Sequence, residues 1–334
     1  MVDIAVADNG DLNLSTYPWS AGFGTRYSNP ATSTGGVQTG VTWSPDAATL
    51  VASARSAGPR IVAYPWSAGF GTKYSDPGTL PTGDCYGIAF HTAGSAVIVA
   101  HDTSPRVSAY PWSAGFGTKY SNPGTLPAGT RGNAVAFSVT GADVAVGHES
   151  SPYISVYPWS AGFGTKYSDP ASAPDSRCTG VAFNSTAIAI TQGNSPRVLA
   201  YPWSAGFGTK YSDPGTLPAG GGYGLAFGAS DIAVASGGSP YISVYPWSAG
   251  FGAKYSNPAT LPTNIGYGAA FGSGAIAVGH SSSPRVSAYP WSAGFGTKYS
   301  NPGTLPTGNG RGVAFSPEAQ ASTRPKLNVL LGVG

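Results

Sequence analysis

The string Tyr-Pro-Trp-Ser-Ala-Gly-Phe-Gly occurs seven times, with its tyrosine at Tyr17, Tyr64, Tyr110, Tyr157, Tyr201, Tyr245 and Tyr289. Successive copies lie 47, 46, 47, 44, 44 and 44 residues apart. A unit of that size cannot bury its apolar face alone, so it must stack against its neighbours. Within one unit, alternation and turn residues mark four short strands: Gly87–Phe90, Ala96–Ala100, Arg106–Tyr110 and Thr118–Ser121, named A to D from the axis outward. Periods of this length with four strands per repeat belong to β-propeller blades. The 49 Gly and 29 Pro supply the turns, and the 19 Tyr, 13 Phe and 8 Trp supply a pleated interior.

The strand types also predict closure. The chain opens with a B strand, Val2–Ala7, and its last repeat ends with an A strand, Gly312–Phe315. Seven strands of each type exist only if the last A strand joins the opening B-C-D strands in one blade. Such a velcro closure removes the free sheet edge that invites aggregation. The expectation is an all-β, seven-bladed propeller over residues 1–316, four antiparallel strands per blade, followed by an extension at 317–334.

Val41-Thr-Trp-Ser-Pro-Asp46, followed by Thr49-Leu-Val-Ala52, resembles the A-to-B passage of WD-repeat propellers, and Tyr-Pro-Trp-Ser sits where that family's Trp-Asp pair ends strand C. The resemblance covers residues 1 to about 316 and implies the propeller fold. The sequence departs from the family in two places: every copy reads Trp-Ser, and no Gly-His precedes strand A. The near-identity of the copies resembles the repetitive propellers of bacteria and bacteriophages. That resemblance implies a virion component, in a tail or as capsid decoration.

Seven copies of one unit can be compared with each other. The repeated Trp19, Trp66, Trp112, Trp159, Trp203, Trp247 and Trp291, with Phe23, Phe70 and their equivalents, are expected between blades, each large ring removing about 150–250 Å² from water; a ligand-binding aromatic ring is the alternative. Arg26, Lys73, Lys119, Lys166, Lys210, Lys254 and Lys298 read as charges protecting an outer edge, or as a belt for an acidic partner. Variation concentrates in the D-to-A and B-to-C connections, which leave an antiparallel blade on the same face. The candidate recognition residues there are Asp84, Tyr86, Arg131, Asn133, Arg177, Tyr223, Asn264, Tyr267, Asn309 and Arg311. Drift in unconstrained loops is the competing explanation.

No catalytic constellation emerges. The A strands contain no Asp or Glu, whereas a propeller glycosidase needs paired carboxylates near the axis. His101, His148 and His280 occupy equivalent places in three different blades and cannot converge on one metal ion. Cys85 and Cys178 are likewise equivalent, two blades apart, and are expected as free thiols. No Ser/His/Asp order, phosphate loop or zinc spacing appears, so no enzyme, cofactor or metal is expected. The net charge of +3 is dispersed, which implies no nucleic-acid partner. The N-terminus lacks the pattern of a signal peptide, and no apolar run has the length of a membrane span, so cytoplasmic synthesis without membrane insertion is expected. After linker-like Pro317–Pro325, the apolar end carries Leu327, Val329, Leu330 and Leu331, candidates for an assembly contact. Two functions follow as expectations: an interaction or structural propeller with a protein partner, virion-associated, or a carbohydrate-binding propeller that meets a surface glycan through repeated weak sites.

Overall fold

The computed structural model describes residues 2–10, 14–32, 36–56 and 58–318. Its twenty-one strands form seven three-stranded antiparallel sheets, one per repeat. The inner strands are Val37–Trp43, Cys85–Phe90, Gly132–Phe137, Cys178–Phe183, Gly222–Phe227, Gly266–Gly272 and Gly310–Phe315. Each inner strand opens one of blades one to seven, and a middle and an outer strand follow in sequence for the first six. In the seventh, Gly310–Phe315 pairs with Val2–Asp8, which pairs with Leu14–Trp19. The velcro closure is therefore present. Ser316 N–H donates to Asp3 C=O at 2.8 Å, and Asp3 N–H donates to Ser316 Oγ at 2.9 Å, so the last residues of the ring lock onto the first.

The expected fourth strand does not join the ladder. The segment around Thr118–Ser121 and its equivalents makes a single regular backbone bond to the outer strand, from Tyr120 N–H to Ala109 C=O at 2.9 Å, repeated at Tyr27, Tyr74, Tyr167, Tyr211, Tyr255 and Tyr299. Three residues past each of these tyrosines comes a proline, which has no N–H to donate and cannot extend a ladder. Each blade thus has three paired strands and an outer strap.

Seven apolar clusters fill the spaces between blades. One of them joins Ile98, Val107 and Ala109 of blade two to Phe137, Val146 and Tyr157 of blade three. The repeated tryptophans belong to this packing. Trp112 meets Phe90 and Phe116 of its own blade and Tyr74 of the preceding strap, all edge to face with centroids 5.0–5.5 Å apart. The repeated tyrosines are buried, and each hydroxyl donates to a backbone carbonyl of the incoming linker, as from Tyr157 to Thr125 at 2.8 Å. The basic residues of the strap are engaged locally: Lys73, Lys166 and Lys210 pair with Asp76, Asp169 and Asp213 three residues on, while Lys119, Lys254 and Lys298 bond to asparagines. Among the described residues no helix is long and apolar enough to cross a membrane. The candidate tail residues Leu327, Val329, Leu330 and Leu331 lie outside the described residues.

Candidate functional site

Every blade breaks its inner-to-middle register at the same level. In blade three, Gly132 pairs with His148 and Ala134 with Gly147, which leaves Asn133 unpaired between them. The same irregularity releases Thr39, Tyr86, Thr179, Tyr223, Tyr267 and Arg311 from their ladders. A bulge is a means of re-aiming one side chain out of a regular sheet. Seven bulges at one height place two threonines, three tyrosines, an asparagine and an arginine around one mouth of the axial channel.

Directly below this rim comes a ring of small residues. Gly40, Gly87, Gly180, Gly224, Gly268 and Gly312, with Ala134, follow the bulged residues. Close approach demands them: a Cβ at Gly224 would lie 2.5 Å from Tyr267 O, and one at Gly180 would lie 2.6 Å from Tyr223 O. The inner strands of adjacent blades therefore meet backbone to backbone and narrow the channel. Hydroxyls and an amide tie the ring at this level. Thr39 Oγ1 donates to Cys85 O and Thr179 Oγ1 to Gly222 O, both at 2.7 Å, and Asn133 Nδ2 donates to Cys178 O at 2.8 Å.

Above that ring opens a cavity of about 250 Å³ lined by Thr39, Arg55, Tyr86, Arg131, Asn133, Arg177, Thr179, Tyr223, Gly224, Tyr267 and Arg311. Four guanidinia and three phenol rings line it, with no carboxylate among the lining residues. Arg131 and Arg55 flank the Tyr86 ring at 4.7 and 5.2 Å from its centroid, Arg311 lies 4.2 Å over Tyr267, and Tyr223 meets Tyr267 edge to face at 5.3 Å. Glu149 pairs with Arg131, and Asp84 stands 4.0 Å from Arg55 and from Arg60.

Seven of the ten residues singled out from the sequence line this cavity: Tyr86, Arg131, Asn133, Arg177, Tyr223, Tyr267 and Arg311. The other three brace loops beside it. Asp84 accepts from Ser56 N–H at 2.8 Å, Asn264 donates to Ser282 Oγ at 3.1 Å, and Asn309 accepts from Arg285 Nη1 at 2.5 Å. The two connections do share a face: Asp102 N–H donates to Asp84 C=O, and Glu149 N–H to Arg131 C=O. Thr39, Thr179 and Arg55 were not foreseen as lining residues. A glycine inside six of the seven A strands was the available signal, since it marks a bulge or a close backbone approach.

The three histidines lie elsewhere. His101, His148 and His280 end their middle strands and are fully buried, each Nε2 lying 3.0 Å from the hydroxyl of Ser108, Ser155 or Ser287 in the adjoining outer strand. Removal from water disfavours the imidazolium and pulls His148 and His280 down to about 4, and His101 in the same direction. Cys85 and Cys178 are buried free thiols, and burial pushes both up.

No protein-family model and no curated protein matches the sequence. Solved structures match the fold. A periplasmic gluconolactonase from Pseudomonas aeruginosa superposes with a TM-score of 0.71 at 14% identity, over 94% of this chain and 99% of that one. A functionally unknown protein from Desulfotomaculum acetoxidans gives 0.69 at 10% identity, over 95% and 99%. The computationally designed Ika8 protein gives 0.65 at 10% identity, over 93% and 91%. Together with the seven antiparallel sheets and the shared closing blade, these likenesses make the chain an all-β, seven-bladed propeller.

Proposed function

We propose that this protein is a non-enzymatic binding propeller, an interaction or structural module that presents its channel mouth and surrounding loops to a protein partner in a larger assembly. One observation carries the reading: every blade uses the same bulge to deliver one side chain to a shared cavity, and these vary among threonine, tyrosine, asparagine and arginine, while the Tyr-Pro-Trp-Ser-Ala-Gly-Phe-Gly string that builds the blade is repeated unchanged. Recognition surfaces are commonly built as variable loops on a rigid frame. The virion setting, in a tail or capsid decoration, rests on the resemblance of the near-identical copies to phage-encoded propellers, and residues 317–334 are the candidate assembly contact in it. Hydrolysis at the mouth is disfavoured by its lining, because a glycosidase places two carboxylates about 5–10 Å apart and the cavity is lined by none.

A second reading, carbohydrate recognition, is favoured by the tyrosines and arginines of the mouth. In that case one shared cavity replaces the repeated weak site in each blade.

The test is capture by the immobilised full chain from extracts of its source cells and particles, run beside a Tyr86→Ser, Tyr267→Ser, Arg311→Ser variant of matched thermal midpoint. A partner retained by the native chain and lost by the variant supports the proposal. Recovery indifferent to the substitutions, or turnover in a screen of polysaccharides and lactones, defeats it. A glycan array on the same pair of proteins decides the second reading.

A further inference from the structure

The mouth is not uniform around its rim. On the side of blades one to three the charges are already paired: Tyr86 lies between two guanidinia, Arg131 pairs with Glu149, and Arg55 faces Asp84. Opposite, four consecutive blades deliver Arg177, Tyr223, Tyr267 and Arg311. Among the described residues, neither of these guanidinia has a carboxylate or a hydrogen-bond acceptor, and neither tyrosine hydroxyl has a partner. Arg311 Nε is buried with its N–H unmatched, as are those of Arg55 and Arg131, so it is the missing carboxylate that sets this half apart.

Two uncompensated cations facing one concavity repel each other, and an anion between them is attracted to both. The Arg311 guanidinium lies over the Tyr267 ring, 4.2 Å from its centroid, which restricts where it can go, and its fork of donors suits a planar, bidentate acceptor such as a carboxylate. Beside it, the Tyr223 and Tyr267 rings offer an apolar surface, and their hydroxyls can each donate and accept. That combination suits a small ring with C–H faces and hydroxyl edges better than a bare inorganic anion, which would use the charge and leave the tyrosines idle. Size agrees, because about 250 Å³ lies below the roughly 300–1,000 Å³ of sites for drug-sized ligands.

We infer that this half of the mouth binds a monosaccharide-sized sugar acid, its carboxylate held by Arg177 and Arg311 and its ring lying against Tyr223 and Tyr267. The inference rests on the reading of the mouth as a binding site and names the chemistry of its ligand. Binding is saturable, one molecule per chain, and weakens as salt screens the guanidinia.

Titration calorimetry of the full chain with glucuronate and galacturonate, beside glucose, galactose and inorganic phosphate, tests it. The expected result is saturable binding of at least one acid, with the neutral sugars and phosphate about tenfold weaker or more. Arg177 is exposed and unpaired, so Arg177→Ala leaves the fold intact; it and Arg311→Gln each weaken the acid about tenfold. Arg26→Gln, on the outer strap, leaves the affinity unchanged. The assignment is overturned by no saturable binding of either acid, by phosphate or a neutral sugar binding as tightly, or by full affinity in both mouth variants. Should sugar acids fail while partner capture still depends on the mouth, the ligand named here falls and the binding role stands.

Discussion

Asp3, Asp143 and Asp231 occupy one position, the start of the middle strand, in alternate blades, and each holds two donors. Asp143 accepts from Tyr167 Oη at 2.8 Å and from Trp203 Nε1 of the next blade at 3.0 Å; Asp3 and Asp231 repeat the pattern with Tyr27 and Trp66, and with Tyr255 and Trp291. Burial, with the adjacent carboxylate, raises Tyr27 and Tyr167 to about 12. For Trp66, Trp203 and Trp291 the acid missing after the tryptophan is thus supplied from another strand. Where the position is Ala187 or Ala275, the facing Trp247 or Trp19 Nε1 is buried without a partner. Asp143→Ala should therefore cost about 2–4 kcal/mol, by stranding two donors, and Ala275→Asp should raise stability by giving Trp19 and Tyr299 an acceptor; chemical denaturation measures both. The buried histidines give stability a pH dependence of definite sign. Folding lowers His148 and His280 from 6.5 to about 4, so the unfolded chain binds more protons between those values. The full contribution is present above pH 6.5 and is lost as pH falls toward 4, by about 3 kcal/mol per histidine. A thermal midpoint followed from pH 7 to 4.5 should fall, and less steeply in His148→Gln, a residue that blade four already accommodates as Gln192.

The inner strand has two jobs that compete for the same few residues. It must pair with the middle strand, and it must let its neighbours approach closely enough to close a ring of seven. The bulge and the glycine after it reconcile the two, since the bulge frees one residue for the mouth and the glycine lets the next backbone come within contact. Gly224→Val pits the valine side chain against Tyr267 O and the backbone of Gly268, with no flexible neighbour to give way. Its expected cost is about 3 kcal/mol or more, read as a drop in the denaturation midpoint, with the mouth distorted as well. The same substitution at Gly78, where a Cβ would meet nothing, is the control and should be close to neutral. The strap shows the opposite case. Its alternation reads as a strand, but with one backbone bond and a proline soon after, it is held by its tyrosine ring against the next tryptophan and by its local lysine contacts. Tyr120→Ala should loosen the strap and raise amide exchange at Trp159 and its surroundings without opening the inner strands.

At the scale of the whole molecule, the closing blade decides whether the ring is a closed toroid or an open stack with a sticky edge. Removing residues 310–318 bares the edge of Ile4–Asp8 that Gly310–Phe315 covers, so the shortened chain should scatter light and elute as aggregates in gel filtration. The sequence by itself determined the number of blades, the closure, the packing role of the repeated tryptophans and the face on which variation lies. Those follow from periodicity, strand order and antiparallel connection, which are properties of the chain written along one dimension. Residues such as Tyr86 and Arg311, 225 positions apart, could be placed on one face in this way, because blade-to-blade equivalence is a matter of counting. Tertiary structure alone decided that Asp84, Asn264 and Asn309 spend their polar groups on loop bracing, that Arg55 belongs to the cavity, that the histidines are buried strand residues, and that half of the mouth is matched while half is not. Those outcomes depend on which side chains from different blades come within hydrogen-bonding or stacking distance once the seven bulges face a common axis, and no spacing along the chain encodes such distances.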